Sequence, residues 1–232
     1  MKIIGLIQAR MGSSRLPGKV MMPLVNKPIL WHILQRMKKV KLISEIILAT
    51  SFDKDNDILE EFADKNGIIC HRFEIEDDLI SRIHTVSKKI DYDIMVKVNA
   101  DCPLIDFNHV NDLLNIFIKR KLDFASNKLS KTFPLGYSFE ILTKEIIKYC
   151  NDKLKSESDR ELFIKWIMDN KKKFKTGTIF NKKNLSKYDL TLDTEEDYTL
   201  ISSIFSNLYK KSKFFGMNSV IKYLEKNNNK II

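Results

Sequence analysis

Ile3-Ile4-Gly5-Leu6-Ile7-Gln8-Ala9-Arg10-Met11-Gly12-Ser13-Ser14-Arg15-Leu16-Pro17-Gly18-Lys19 is the stretch that sets the fold class of this 232-residue chain. Its first five residues are an apolar run of the length and composition of a buried strand. The run from Pro28 to Val40 carries apolar residues at 29, 30, 33, 34, 37 and 40, which predicts a helix. The loop between them holds two glycines, two serines, two arginines and a lysine. Backbone N–H groups and fixed positive charge in such a loop suit a polyphosphate. The spacing matches neither G-x-x-x-x-G-K-[ST], since Val20 follows Lys19, nor G-x-G-x-x-G.

Outward from this stretch, strands and helices alternate. Residues 46–50 read as a strand and 55–66 as a helix closed by Gly67, followed by a short strand at 68–70. Asp77 or Asp78 caps a helix running to about Ile90. Residues 94–98 read as a central strand, 106–120 as a helix, and 124–126 and 139–142 as strands. Helices are expected near 143–151 and 157–170, and an edge strand at 178–180. Leu190-Thr191-Leu192 reads as a strand leading into a helix near Thr194, where Thr194-Glu195-Glu196-Asp197 has the form of a capping box. A final helix covers 217–227, and the Asn/Lys-rich end to 232 is expected to fray. The alternation predicts one domain over 1–232, a three-layer α/β/α sandwich around a mostly parallel sheet. In such sheets ligands sit beyond the carboxyl ends of the strands. The loops at 8–19, 99–105 and 193–197 are therefore expected to converge on one cleft.

Composition excludes several classes of function. Hydrophobic residues make up 44% of the chain, enough for a proper core, but no run approaches the roughly 18 apolar residues of a membrane span. The chain opens on a core strand, so no leader is expected. Cys70, Cys102 and Cys150 are scattered, fit no metal spacing and suit a reducing, cytoplasmic setting. The net charge of +10 raises the question of nucleic acid. However, only seven of the 40 basic residues are arginine, and the lysines spread along the whole chain. No recognition helix, stacking strip or zinc finger accompanies them, so no nucleic-acid partner is expected. His32, His71, His84 and His109 lie outside the motifs, and those at 32 and 84 fall within predicted helices.

Several residues carry candidate chemistry. Arginine suits bidentate phosphate contacts and lysine acts as a mobile point charge, so Arg10, Arg15 and Lys19 would neutralise a triphosphate. Ser13, Ser14 and the Gly12 backbone add hydrogen-bond donors. Asp101 follows the central strand in Asn99-Ala100-Asp101-Cys102-Pro103-Leu104-Ile105. A carboxylate there either holds Mg²⁺ against the triphosphate or caps the next helix.

Ala9-Arg10-x-x-Ser13-x-Arg15-Leu16-Pro17-Gly18-Lys19, residues 99–105, and Leu192-Asp193-Thr194-x-Glu196-Asp197 together resemble the sugar cytidylyltransferase superfamily. That group includes the synthetases of CMP-activated sialic and ketodeoxyoctonic acids. The resemblance is nearest to its spore-coat polysaccharide branch, the SpsF-like nucleotidyltransferases, and runs from residue 1 to about 210. It implies a Rossmann-like, GT-A-like nucleotidyltransferase fold and a cytoplasmic homodimer. The implied reaction joins CTP to a sugar acid or sugar phosphate with release of pyrophosphate. GTP use and a glycosyltransferase acting on a finished nucleotide sugar are the alternatives. The resemblance places a second Mg²⁺ carboxylate at Asp193, whose alternative is to support the helix start near Thr194, and Asp197 reads as a capping or supporting residue rather than a ligand. It places Gln8, Ala9, Asn99 and Ala100 by the nucleotide. Asp78 and Arg82 match an Asp-x-x-x-Arg segment of the family, and their spacing is equally that of an ordinary helical ion pair. Gly136, Ser138 and Glu140 are expected to face the acceptor sugar. Relatives tend to have aspartate where Ser138 stands, which removes a negative charge from the expected acceptor pocket. Glu140 either binds a sugar hydroxyl or is a polar residue of an edge strand.

Overall fold

The computed structural model describes residues 1–74 and 78–227. Seven strands form the main sheet: β1 (Ile3–Gln8), β4 (Glu45–Ser51), β5 (Ile69–Phe73), β6 (Ile94–Asn99), β7 (Phe124–Ser126), β8 (Phe139–Thr143) and β9 (Thr176–Gly177). Their spatial order is β5-β4-β1-β6-β8-β7-β9. Only β8 runs against its neighbours, so the sheet is mixed but mostly parallel. A hairpin of β2 (Pro23–Leu24) and β3 (Lys27–Pro28) stands apart.

Both faces of the sheet are covered, which is why its strands read as continuous apolar runs. On β1, Ile3 and Ile7 join one core cluster while Ile4 and Leu6 join the other. The first cluster is completed by α1 (Ile29–Met37), α2 (Asp57–Asn66), α4 (Phe107–Arg120), α8 (Glu195–Leu208) and α9 (Met217–Lys226). The second takes α3 (Leu79–Lys89), α5 (Lys144–Lys153) and α7 (Phe163–Asp169). The expected α/β/α sandwich is the observed architecture. Among the described residues no helix is long and apolar enough to cross a membrane.

The sequence expectation departs from the structure at several elements. The helix expected over 157–170 is two, α6 (Glu157–Glu161) and α7, with a break at Leu162. Arg160 explains the bend, because its guanidinium bonds Asp78, the Asn151 carbonyl and the Leu154 carbonyl. That pins α6 across α3, and the chain must then turn to bury Phe163 and Ile167. The edge strand lies at 176–177, not 178–180, because Gly177 passes so close to Leu122 that a Cβ would stand 2.2 Å from its Cδ1. Residues 190–192 form no strand. Single backbone bonds hold them, from Leu190 N–H to the Leu135 carbonyl (3.1 Å) and from Leu192 N–H to the Asp101 carbonyl (2.9 Å). The β2–β3 hairpin was not expected, since its turn is Val25-Asn26, both at positive φ, with no glycine to signal it. The candidate cap Asp77 lies outside the described residues. Asp78 caps α3 by accepting from Ser81 N–H at 2.9 Å.

The capping box at α8 is present in full. Thr194 Oγ1 accepts from Asp197 N–H, and Asp197 Oδ2 accepts from both Thr194 N–H (2.8 Å) and Asp193 N–H (2.9 Å). Thr194→Ala is expected to cost about 1 kcal/mol, a fall in melting temperature of roughly 2–4 °C for a chain of this size. Thermal unfolding followed by circular dichroism checks it.

Candidate active site

At the C-terminal edge of the sheet, β1, β4, β5 and β6 end around a cleft of about 400 Å³. Its rear wall is set by backbone bonds between neighbouring strand ends. Ala9 N–H donates to the Ala49 carbonyl (3.1 Å), and Ala100 N–H to the Gln8 carbonyl (2.9 Å). Gln8, Ala9, Asn99, Ala100 and Asp101 all line the cleft from these ends.

The loop after β1 folds over the cleft, and its shape follows from local bonding. Met11 N–H donates to Asn56 Oδ1 (2.8 Å), a buried side chain whose amide is in turn fixed on Ser51 Oγ (2.8 Å). The Met11 carbonyl then accepts from Ser13 and Gly18, each at 2.9 Å. Leu16 plugs the loop into the core, and Gly18 at φ 71° lets the chain reverse into the short turn that carries Lys19. Arg10, Ser13, Ser14, Arg15 and Lys19 are thereby held at the cleft wall, while Gly12 stays outside it.

The two candidate carboxylates meet here. Leu192 N–H on the Asp101 carbonyl ties the 190–193 segment to the loop after β6, so Asp193 and Asp101 both face the cleft although 92 residues apart. Asp193 is salt-bridged on both oxygens. Arg15 Nη2 lies 2.8 Å from Oδ2 and Lys19 Nζ lies 2.8 Å from Oδ1. Lys19 also donates to the Leu192 carbonyl at 2.6 Å. Its ammonium is well enclosed, whereas the Arg15 side chain is 64% exposed and able to swing. Beside Asp101, burial and the carboxylate push the Cys102 thiol well up, so it remains an S–H donor to Asp101 Oδ1 (3.2 Å) rather than a nucleophile.

Arg82 reaches the cleft from α3, its guanidinium 4.9 Å from the Phe73 ring centroid. Asp78 is turned elsewhere, to Arg160 Nε at 2.7 Å. The expected acceptor residues do not line this cleft. Gly136 packs on the Leu190 backbone, Ser138 stands beside the buried Cys102, and Glu140 is buried against Lys97. Conversely Ser51, Phe73, Leu79, Lys97, Glu161 and Leu162 line it unforeseen. A lysine inside the apolar run 94–98 was the one visible signal among them. None of the four histidines lines the cleft, and burial lowers the affinity of His32 and His71 for a proton.

Five lining cations (Arg10, Arg15, Lys19, Arg82 and Lys97) face three lining carboxylates (Asp101, Glu161 and Asp193). The surplus of positive charge suits an anionic ligand. The sequence model of one family, described as cytidylyltransferase, matches residues 4–229. The chain belongs to the cytidylyltransferase family. A solved cytidylyltransferase from Leptospira borgpetersenii is 34% identical over all of this chain and 99% of its own, with a TM-score of 0.93. An uncharacterized protein of Methanocaldococcus jannaschii, MJ1063, is 30% identical over 98% of this chain and 92% of its own. The spore coat polysaccharide biosynthesis protein SpsF of Bacillus subtilis is 26% identical over 88% of this chain and 86% of its own. Family membership makes this cytidylyltransferase a nucleotidyltransferase, as the resemblance carried by residues 9–19, 99–105 and 192–197 implied.

Proposed function

We propose that the protein transfers CMP from CTP to a sugar acid or sugar phosphate, releasing pyrophosphate, in the synthesis of a surface polysaccharide. The observation that carries this reading is the convergence of Arg15 and Lys19 on Asp193, beside Asp101. In that arrangement two phosphate-binding cations rest on a carboxylate until a stronger anion arrives.

The steps follow from the side chains. A triphosphate draws Arg15 across first, because that side chain is exposed and forked for bidentate contact. Lys19, enclosed and anchored on the Leu192 carbonyl, stays put and faces the charge that builds on the transferred and leaving phosphates. Arg82 and the backbone at Gln8 and Ala9 serve the nucleoside end. The acceptor oxygen attacks the α-phosphorus, the bond to the pyrophosphate oxygen breaks, and positioning with charge stabilisation does most of the work.

The donor set suits Mg²⁺. Asp101 and Asp193 supply hard carboxylate oxygens, and among the described residues no group of three His, Cys, Asp or Glu side chains forms a closed metal cage. Two carboxylates completed by phosphate oxygens and water are the usual Mg²⁺ environment. Bound there, the ion would neutralise charge on the phosphate oxygens. Departure of Arg15 toward the phosphates frees Asp193 Oδ2 for this role.

The test is pyrophosphate release with Mg²⁺, each of the four NTPs and a panel of sugar acids and sugar 1-phosphates. Turnover with CTP and one acceptor is expected, and tight CTP binding with no turnover across a broad panel would count against the reaction. Arg15→Ala is expected to raise the KM for the nucleotide about tenfold, the loss of one charge-assisted phosphate contact. An unchanged KM would remove Arg15 from the triphosphate site.

A further inference from the structure

Lys97 lies in the middle of β6 and is 3% exposed, yet it lines the cleft. On this strand Ile94, Val96 and Val98 face one core cluster and Met95 faces the other. Lys97 and Asn99 therefore share the Met95 face. The antiparallel register sets Lys97 directly opposite Glu140 on β8. Glu140 is 2% exposed, and it takes Lys97 Nζ on Oε2 at 3.2 Å and Lys128 Nζ on Oε1 at 3.9 Å. A glutamate so engaged anchors Lys97 and is not itself offered to a substrate.

Lys97 also donates to Asn99 Oδ1 at 2.7 Å. The oxygen and nitrogen of an asparagine are ordinarily hard to tell apart, and the bonding network decides. Here chemistry decides, because an ammonium has only donors and the atom it touches at this distance must be the oxygen. The Asn99 NH₂ group is thus turned away from Lys97, on a side chain that lines the cleft next to Asp101. We infer that Lys97 is a positioning residue: anchored by Glu140, it locks the Asn99 carboxamide so that its NH₂ group is presented to a substrate oxygen. The inference rests on the reading that the cleft takes substrates rich in anionic oxygen. Without Lys97 the carboxamide can flip and offer its own oxygen, which such a substrate repels.

Lys97→Met alone would leave Glu140 short of a partner in the core, so the working variant is Lys97→Met with Glu140→Gln. Glu140→Gln alone is the reference, since its amide oxygen still accepts from Lys97. The first readout needs no turnover: the Asn99 side-chain amide pair in ¹H–¹⁵N spectra of the full chain, assigned by its loss in Asn99→Ala. Glu140→Gln should leave the pair near its wild-type position, and the double variant should shift it and speed rotation of the amide. An unmoved pair in the double variant overturns the inference. The second readout is kcat/KM for pyrophosphate release. The double variant should fall at least tenfold below Glu140→Gln when Asn99 is present, and less than twofold when Asn99→Ala is added. Equal losses in both backgrounds would mean that Lys97 does not act through Asn99. If the wild type turns over no acceptor, the proposed reaction fails while the spectra still decide the role of Lys97.

Discussion

Asp101→Asn is expected to lower kcat for pyrophosphate release by about 10³-fold, some 4 kcal/mol of transition-state stabilisation. The backbone around Asp101 is fixed independently of its side chain. Ala100 N–H is bonded to Gln8, Cys102 N–H to the Asn99 carbonyl, and the Asp101 carbonyl receives Leu192 N–H. Asparagine matches aspartate in size and keeps an oxygen that can accept the Cys102 S–H. The variant should therefore melt within about 2 °C of the wild type, a change of roughly 0.5 kcal/mol. What it loses is a full negative charge at the strand end, the anionic oxygen that the proposed Mg²⁺ would need. On the proposed reading Arg15 and Lys19 hold the nucleotide, which should still bind. Calorimetry of CTP binding and a Mg²⁺ titration of the rate separate the two effects. A kcat within tenfold of wild type would take Asp101 out of the chemistry.

Asp101 was readable in the sequence for the same reason that the loop at 9–19 was. Both follow strands buried on two faces, whose continuous apolar runs announce themselves, and ligand sites in such sheets sit at the strand ends. Asp193 was expected at the cleft as the end of a strand over 190–192 that the structure does not form, and its metal role came only from family resemblance. Its segment joins the cleft through isolated backbone bonds to Leu135 and Asp101, which no local periodicity records. Lys97 and Glu140 show the opposite limit. Each is a charge within an apolar strand, and that much is visible, but their pairing depends on the register between β6 and β8, 43 residues apart. The sequence therefore offered Glu140 either a sugar hydroxyl or a place on an edge strand, and gave no sign of its contact with Lys97. Leu162 was hidden by helical periodicity that runs on through a bend, and the bend is imposed from outside by the contact of Arg160 with Asp78. In each case the missing information was tertiary, and the residue itself carried no mark of it.

Gly136→Ala should cost far more stability than Thr194→Ala or Asp101→Asn. Its φ is +83°, a region that a residue with a Cβ adopts only under strain. Space is the greater obstacle. A Cβ there would stand 2.2 Å from both the Leu190 carbonyl carbon and its oxygen, and 2.6 Å from Thr191 N. Those are backbone atoms, which cannot move aside as a side-chain tip can. They also belong to the segment held by the bonds from Leu135 N–H to the Tyr188 carbonyl and from Leu190 N–H to the Leu135 carbonyl, two residues before Leu192 docks on Asp101. Strain and overpacking together are expected to cost about 4 kcal/mol, a drop of roughly 8–16 °C in melting temperature. Relief of the clash must push residues 190–193 outward, which draws Asp193 away from Arg15 and Lys19. The variant should accordingly lose turnover even at temperatures where it is still folded, with kcat falling more than the KM for the nucleotide. A folded Gly136→Ala protein with full stability but impaired use of the acceptor would instead return Gly136 to the acceptor contact that the sequence suggested.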